Sequence, residues 1–231
     1  MNPILVPVRN GLHLTKMAHA SFLAQDLPVD VIYIDNASTN GTAEWLSSRP
    51  EAMRIRNSVP KGVTASWNQG LRWLFTHGAE HALVCNNDVE LSRHFYRTLL
   101  DDGGGLVTGV SSDRPPEEVP DTPEGKRPHP DFSGFLIRKS VWDAVGEFDA
   151  GMVHYCSDGD YHLRCHQKGI DVYCLSLPFQ HTRSSTLKMA TAEEVAEIMH
   201  QAELDREFFT QKWGCPMGSQ EYYGMFAVEG D

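Results

Sequence analysis

The stretch His81-Ala82-Leu83-Val84-Cys85-Asn86-Asn87-Asp88 decides how the fold is read: an apolar run stops abruptly on three polar residues. A short apolar run bounded by turn formers suits a strand buried on both faces, and Asn and Asp are residues that end one. Working outward, residues 63–77 carry a helical pattern that closes at Gly78. Upstream, residues 4–8 and 29–34 are two further strand-like runs, the second ending at Asp35. Between them Leu14, Met17, Ala18 and Phe22 give residues 12–25 helical spacing. A short helix is expected at 43–47 and a short strand at 53–56. Downstream, a helix is expected over 91–100 and a strand over 106–110. Alternating strands and helices predict an α/β chain with a mostly parallel sheet and helices on both faces. Ligands then bind beyond the carboxyl ends of the strands, where Asp35, Asn86 to Asp88 and His181 fall.

Beyond residue 110 the composition changes. Residues 111–130 hold six prolines and cannot build a core; a mobile loop is expected there, with the composition of a lid. A strand (132–138), a helix (140–145), a helix (158–168) and a strand (170–175) follow, and a long tail helix spans 192–211. This divides one domain into a first half (1–110), the loop (111–130), a second half (131–185) and a helical tail (186–231). The tail helix, with Phe208, Phe209 and Trp213, is expected to cap the core or to form a homodimer seam.

The whole chain has 231 residues, 41% of them hydrophobic and 22% charged, which suits a folded protein rather than a disordered one. A net charge of −11 disfavours non-specific binding to nucleic acid or anionic membrane. Arg72, Arg93, Arg97, Arg114, Lys126 and Arg127 are the residues from which a local basic face would be built. No apolar run has membrane-spanning length, and the first residues lack the pattern of a secretion signal. Five cysteines without a C-x-x-C pair read as reduced, buried thiols. The expected location is cytoplasmic, with peripheral membrane contact where an acceptor is lipid-linked.

Several residues bear chemistry. Asn86 and Asp88, two apart in an extended segment, offer hard oxygen donors to Mg²⁺ or Mn²⁺; Asn and Asp are also ordinary turn residues. In Ser157-Asp158-Gly159-Asp160, one carboxylate can serve as a general base, and Ser or Asp at a helix start is equally an N-cap. His162 and His166, four apart, share a helix face as zinc ligands do, or pack there as ordinary side chains. Trp67, Trp73 and Phe75 read as core.

Taken in order, these stretches resemble the family 2 glycosyltransferases of GT-A (Rossmann-like) fold, and within them the rhamnosyltransferase-like branch. The resemblance is carried by residues 4–10, 31–42, 57–70, 83–89, 133–138, 145–149, 158–164, His181 and the tail around 208–214. It implies that Pro7, Val8, Arg9, Asp35 and Ser38 cradle the nucleotide base, Asp35 accepting from the ring N–H of uracil or thymine. Gly62, Asn68 and Asn87 would contact nucleotide or donor sugar. Asn86 and Asp88 match the family's metal-binding D-x-D, with Asn first, and His181 matches its distal histidine. Ser133 and Gly134 fall on the acceptor side. Asp158 matches the catalytic base, though Ser157 replaces the usual preceding acid, which leaves Asp160 as a second candidate.

The implied chemistry is a single inverting displacement from a UDP- or dTDP-sugar to a hydroxyl acceptor, a saccharide being the expected one, with Mn²⁺ or Mg²⁺ as cofactor. Two alternatives differ in class. One is a non-catalytic nucleotide- or glycan-binding scaffold. The other is transfer to a modified nucleic-acid base.

Overall fold

The computed structural model describes residues 1–115, 130–182 and 190–226. The elements run β1 (Pro3–Val8), α1 (Leu12–Leu23), β2 (Asp30–Asn36), α2 (Thr42–Ser47), β3 (Ala52–Asn57), α3 (Val63–Thr76), β4 (His81–Cys85), β5 (Val89–Leu91), α4 (Phe95–Asp102) and β6 (Leu106–Ser112). After them come β7 (Gly134–Arg138), α5 (Lys139–Val145), α6 (Ser157–Gln167), β8 (Val172–His181), α7 (Ala192–Trp213) and α8 (Gln220–Gly224). Most of the loop expected over 111–130 lies outside the described residues.

One eight-stranded sheet has the order β3-β2-β1-β4-β7-β6-β8-β5. β1 pairs in parallel with β2 and β4, β2 with β3, and β6 with β8. The pairs β4–β7, β6–β7 and β5–β8 are antiparallel. The sheet is therefore mixed, with four parallel and three antiparallel pairings. The antiparallel pairings come from β7, which runs back directly against β4, and from β5, a strand the sequence pattern does not reveal.

Alternation along the strands sorts the core into two layers. Ile4, Val6, Val31, Tyr33, Leu83 and Cys85 face one layer with Phe22 of α1 and Phe95 and Leu99 of α4. Leu5, Ile32, Ile34, Ala82 and Val84 face the other, with Leu71 and Leu74 of α3 and Tyr161 of α6. Helices cover both faces, as expected. At Gly70 a Cβ would lie 2.2 Å from Leu5 Cδ1, so only glycine lets α3 rest directly on β1. A third, smaller cluster of Met152, Cys156, Leu163, Phe209, Cys215 and Tyr222 joins the carboxyl-terminal helices to the rest. No helix among the described residues is long and apolar enough to cross a membrane.

Two boundaries differ from the sequence expectation and both shape the site. The segment 91–100 is not one helix, because Val89–Leu91 pairs with β8 before α4 begins. β8 does not stop at 175; it passes Pro178 through a register shift against β6 and reaches His181. Proline is tolerated in a strand at such an irregularity.

Candidate active site

The carboxyl ends of β1, β2 and β4 and the start of β7 meet along one edge of the sheet, with Cys85 opposite Gly134. Above this edge lies a cavity of about 650 Å³. Its lining includes Asn86, Ser133 and Asp158, three of the residues the sequence singles out. Trp67, Asp131, His154, Tyr155 and Arg206 line it too.

Asp158 sits in the first turn of α6 and is partly buried. Its Oδ1 accepts from its neighbour's amide, Gly159 N, at 2.9 Å. Burial raises its pKa above the ordinary carboxylate value, and the nearby Asp131 charge adds to that. Asp160 has the opposite surroundings. It is fully buried; Oδ2 accepts from Arg164 Nε at 2.8 Å, and Oδ1 accepts from Trp213 Nε1 at 3.0 Å and pairs with Lys212 Nζ at 2.6 Å. Only Asp158 of the two lines the cavity. Burial pushes His154 below the ordinary histidine value and pushes the Cys156 thiol up to about 11. The cavity wall therefore carries a neutral imidazole and no thiolate near neutral pH.

At one side of this edge, Asp88 Oδ1 lies 3.3 Å from His181 Nε2. The short strand β5 makes this contact, since Val89 is registered opposite His181. Asn87 turns the other way and donates to Thr15 Oγ1 at 2.9 Å and Asn10 O at 3.3 Å. Asn86 lines the cavity, and its backbone N–H donates to Ser133 O at 2.9 Å. Among the described residues no group of three or more His, Cys, Asp or Glu converges on one point. The donors that are present, a carboxylate beside an imidazole with an amide at the next alternate position, fit a hard cation that takes its other ligands from a diphosphate and water.

The amino-terminal loops interlock. Asp35 is fully buried; Oδ1 accepts from Ser38 N at 2.9 Å and Oδ2 from Arg56 Nη1 at 2.5 Å. Asn10 N donates to Ser38 Oγ, and Thr39 N donates back to Asn10 Oδ1. Asn10 and Ala37 hold positive φ of 61° and 62°, conformations such a latch stabilises. Arg9 is exposed beside this latch, Pro7 is partly buried, and Val8 belongs to the core. Gly62 has φ 82°, and a Cβ there would lie 2.7 Å from Val153 O. Asn68 is buried away from the cavity lining and exchanges two hydrogen bonds with the Phe148 main chain. Gly134 is buried in β7 near Phe179.

Other expectations resolve plainly. The ring of His162 stacks on Phe226 at 4.2 Å, so the packed reading holds over a zinc pair with His166. All five cysteines are buried and none forms a disulfide. Phe209 is buried and Trp213 bonds Asp160, so both cap the core, whereas Phe208 is 39% exposed. Arg72 and Arg97 pair with Glu147 and Asp26, which breaks up the basic face; Lys126 and Arg127 lie outside the described residues.

Sequence reasoning missed Trp67 and Asp205. Trp67 reads as core and does contact Phe135 and Phe148, yet it also walls the cavity. Its buried Nε1 has no partner among the described residues.

The profile of Glycosyl transferase family 2 matches residues 4–141, more than half of the chain, and the chain belongs to that family. Relatives include the uncharacterised proteins Mb1552 of Mycobacterium bovis and Rv1525 of Mycobacterium tuberculosis, each 29% identical over 128 residues. The match covers 48% of this chain, which spans about half (49%) of the length of these relatives. Among solved structures, the mannosyltransferase PcManGT from Pyrobaculum calidifontis, in complex with GDP-Man and Mn²⁺, aligns with TM-score 0.59 and 17% identity over 80% of this chain and 59% of that one. S. aureus TarS 1-349 in complex with UDP aligns with TM-score 0.60 and 14% identity over 93% and 72%. GalNAc-T7 with UDP, GalNAc and Mn²⁺ gives 0.62 and 11% over 78% and 43%. At these identities the three likenesses speak to fold.

Proposed function

We propose that this chain carries out inverting, metal-dependent transfer of a sugar from a UDP- or dTDP-linked donor to a hydroxyl acceptor, in the manner of the rhamnosyltransferase-like branch. The observation that carries the reading is the meeting of Asp158, Asn86 and Ser133 in one cavity at the carboxyl edge of the sheet. Residues 1–110 act as the nucleotide half and 131–185 as the catalytic and acceptor half.

Asp158 takes the proton of the acceptor hydroxyl as that oxygen attacks the anomeric carbon, and the nucleoside diphosphate leaves from the opposite face. A base needs reach and a pKa suited to its task. Asp158 lines the cavity, and burial strengthens its hold on a proton. Asp160 is neutralised by Arg164 and Lys212 and orders the helix instead. Asp88 and His181 would hold Mn²⁺ or Mg²⁺, with Asn86, two residues before Asp88, as the third donor. That ion supplies charge neutralisation for the departing diphosphate. Pro7, Val8, Arg9 and the 36–39 turn shape the base pocket. A uracil or thymine ring N–H reaches Asp35 in place of Arg56, whose side chain is 41% exposed. Gly62, whose turn packs on Val153, and Asn68 would act on the donor through the α3 start, with Asn87 fixing the first loop. Ser133, followed by Gly134, borders the acceptor side, where a saccharide is the expected occupant.

The test is a thermal-shift panel of nucleoside diphosphates and nucleotide sugars with Mn²⁺, Mg²⁺ or EDTA. A ligand that binds only the folded state raises the melting temperature. A metal-dependent rise with UDP or dTDP compounds is expected. A shift with GDP compounds alone would overturn the donor assignment, and no shift with any nucleotide would overturn the transferase reading.

A further inference from the structure

The helix α7 is 22 residues long, yet its buried residues are Ala202, Asp205 and Phe209. A buried carboxylate on a helix that otherwise lies at the surface calls for a physical reason, since burying it without hydrogen bonds is costly. The Asp205 carboxylate accepts four. Val153 N donates to Oδ1 at 3.0 Å, His154 N and Tyr155 N donate to Oδ2 at 2.8 and 2.9 Å, and Gln201 Nε2 donates to Oδ1 at 2.8 Å. Three of these donors are successive backbone amides of the loop that leads into α6. The carbonyl of Val153 points to the other side, where it accepts from Val63 N at 3.1 Å at the start of α3. One peptide segment is thus held between the tail helix and the Gly62 turn.

The clamped residues lead straight to the base. After Tyr155 comes Cys156 at φ 65°, a left-handed conformation that a non-glycine residue keeps only when its surroundings hold it. Ser157 opens α6 and Asp158 follows. Residues 154 to 158 all line the cavity. Arg206, next to Asp205, also lines it and lies over the Tyr155 ring at 5.7 Å.

We infer that Asp205 is a positioning residue for the transfer reaction: its carboxylate fixes the 153–155 main chain and through it the place of Asp158 in the cavity. The inference rests on the reading of Asp158 as the base. The test uses Asp205→Asn, nearly isosteric but with one acceptor oxygen replaced by a donor. The assay follows nucleoside diphosphate released from UDP-sugars with Mn²⁺. The expected result is a kcat roughly 10- to 100-fold lower, the loss that small misplacements of reacting groups produce. KM for the donor and the calorimetric affinity for UDP stay within about twofold. Hydrogen exchange at amides 153–155 quickens. Gln201→Leu, which removes one of the four donors, gives the same pattern on a smaller scale and serves if Asp205→Asn does not fold. An unchanged kcat in the folded variant overturns the inference. So does a joint fall of kcat and UDP affinity in step with the folded fraction, which marks a purely structural anchor. A wild type that releases no nucleotide from any nucleotide sugar fails the transferase reading and the inference with it; an active wild type beside an unimpaired Asp205→Asn fails the inference alone.

Discussion

Asp158 and Asp160 stand two residues apart on the first turn of α6, about 200° apart around its axis. One faces the cavity with backbone amides on its carboxylate, Gly159 N among them; the other faces inward between a guanidinium, an ammonium and an indole N–H. The same residue type on the same helix is therefore open to the cavity on one side and locked into an ion-pair network on the other. The difference lies in what the fold packs against each face. The tail helix brings Lys212 and Trp213 to Asp160, whereas Asp158 is desolvated with no cation bonded to it among the described residues.

The largest effect falls on activity. Asp158→Asn removes transfer, a loss on the order of 10² or more where a general base is deleted, while UDP binding in calorimetry is retained. Its melting temperature at neutral pH is expected to rise. A carboxylate whose folded pKa is raised contributes stability only at low pH, and that contribution is lost as pH rises through the folded value. The ionised group thus opposes folding at pH 7, and a lower melting temperature would break the comparison. Next comes Asp160→Asn. It leaves Arg164 and Lys212 without their buried partner and is expected to cost about 3 kcal/mol in denaturant unfolding; an unaltered midpoint would show that the pairing carries no weight.

Smaller effects sharpen the contrast. Gly62→Ala meets both a positive φ and the Val153 carbonyl. It is expected to destabilise by about 2 kcal/mol and to slow turnover, because Val153 belongs to the loop that carries Asp158. Trp67→Phe keeps an aromatic ring and removes an N–H that has no partner among the described residues. Its unfolding free energy is expected to move by less than about 1 kcal/mol, and a larger loss would reveal a bond to the indole that this account omits.

Much of this was legible in the sequence. The runs at 4–8, 29–34 and 81–86 gave three central strands because burial on both faces leaves a continuous apolar signature. The polar residues after them fall at the carboxyl edge of the sheet, where those strands end. β5 was not legible: three residues carry no periodicity, and its pairing with β8 depends on a strand that runs through Pro178. That pairing is what sets His181 beside Asp88. Choosing between Asp158 and Asp160 needed the tail helix, whose partners lie some 50 residues away in sequence. Asp205 is silent in the sequence because an acid amid Glu203, Arg206 and Glu207 looks like any solvated helix residue.

The pH dependence of nucleoside diphosphate release from a UDP-sugar with Mn²⁺, run on the wild type and Asp158→Asn together, tests the central claim most directly. The account predicts a wild-type rate that falls on acidification with a midpoint above the ordinary Asp value of about 3.9, and no comparable turnover in the variant at any pH. Asp158→Asn turning over like the wild type, with the same acid limb, would contradict it.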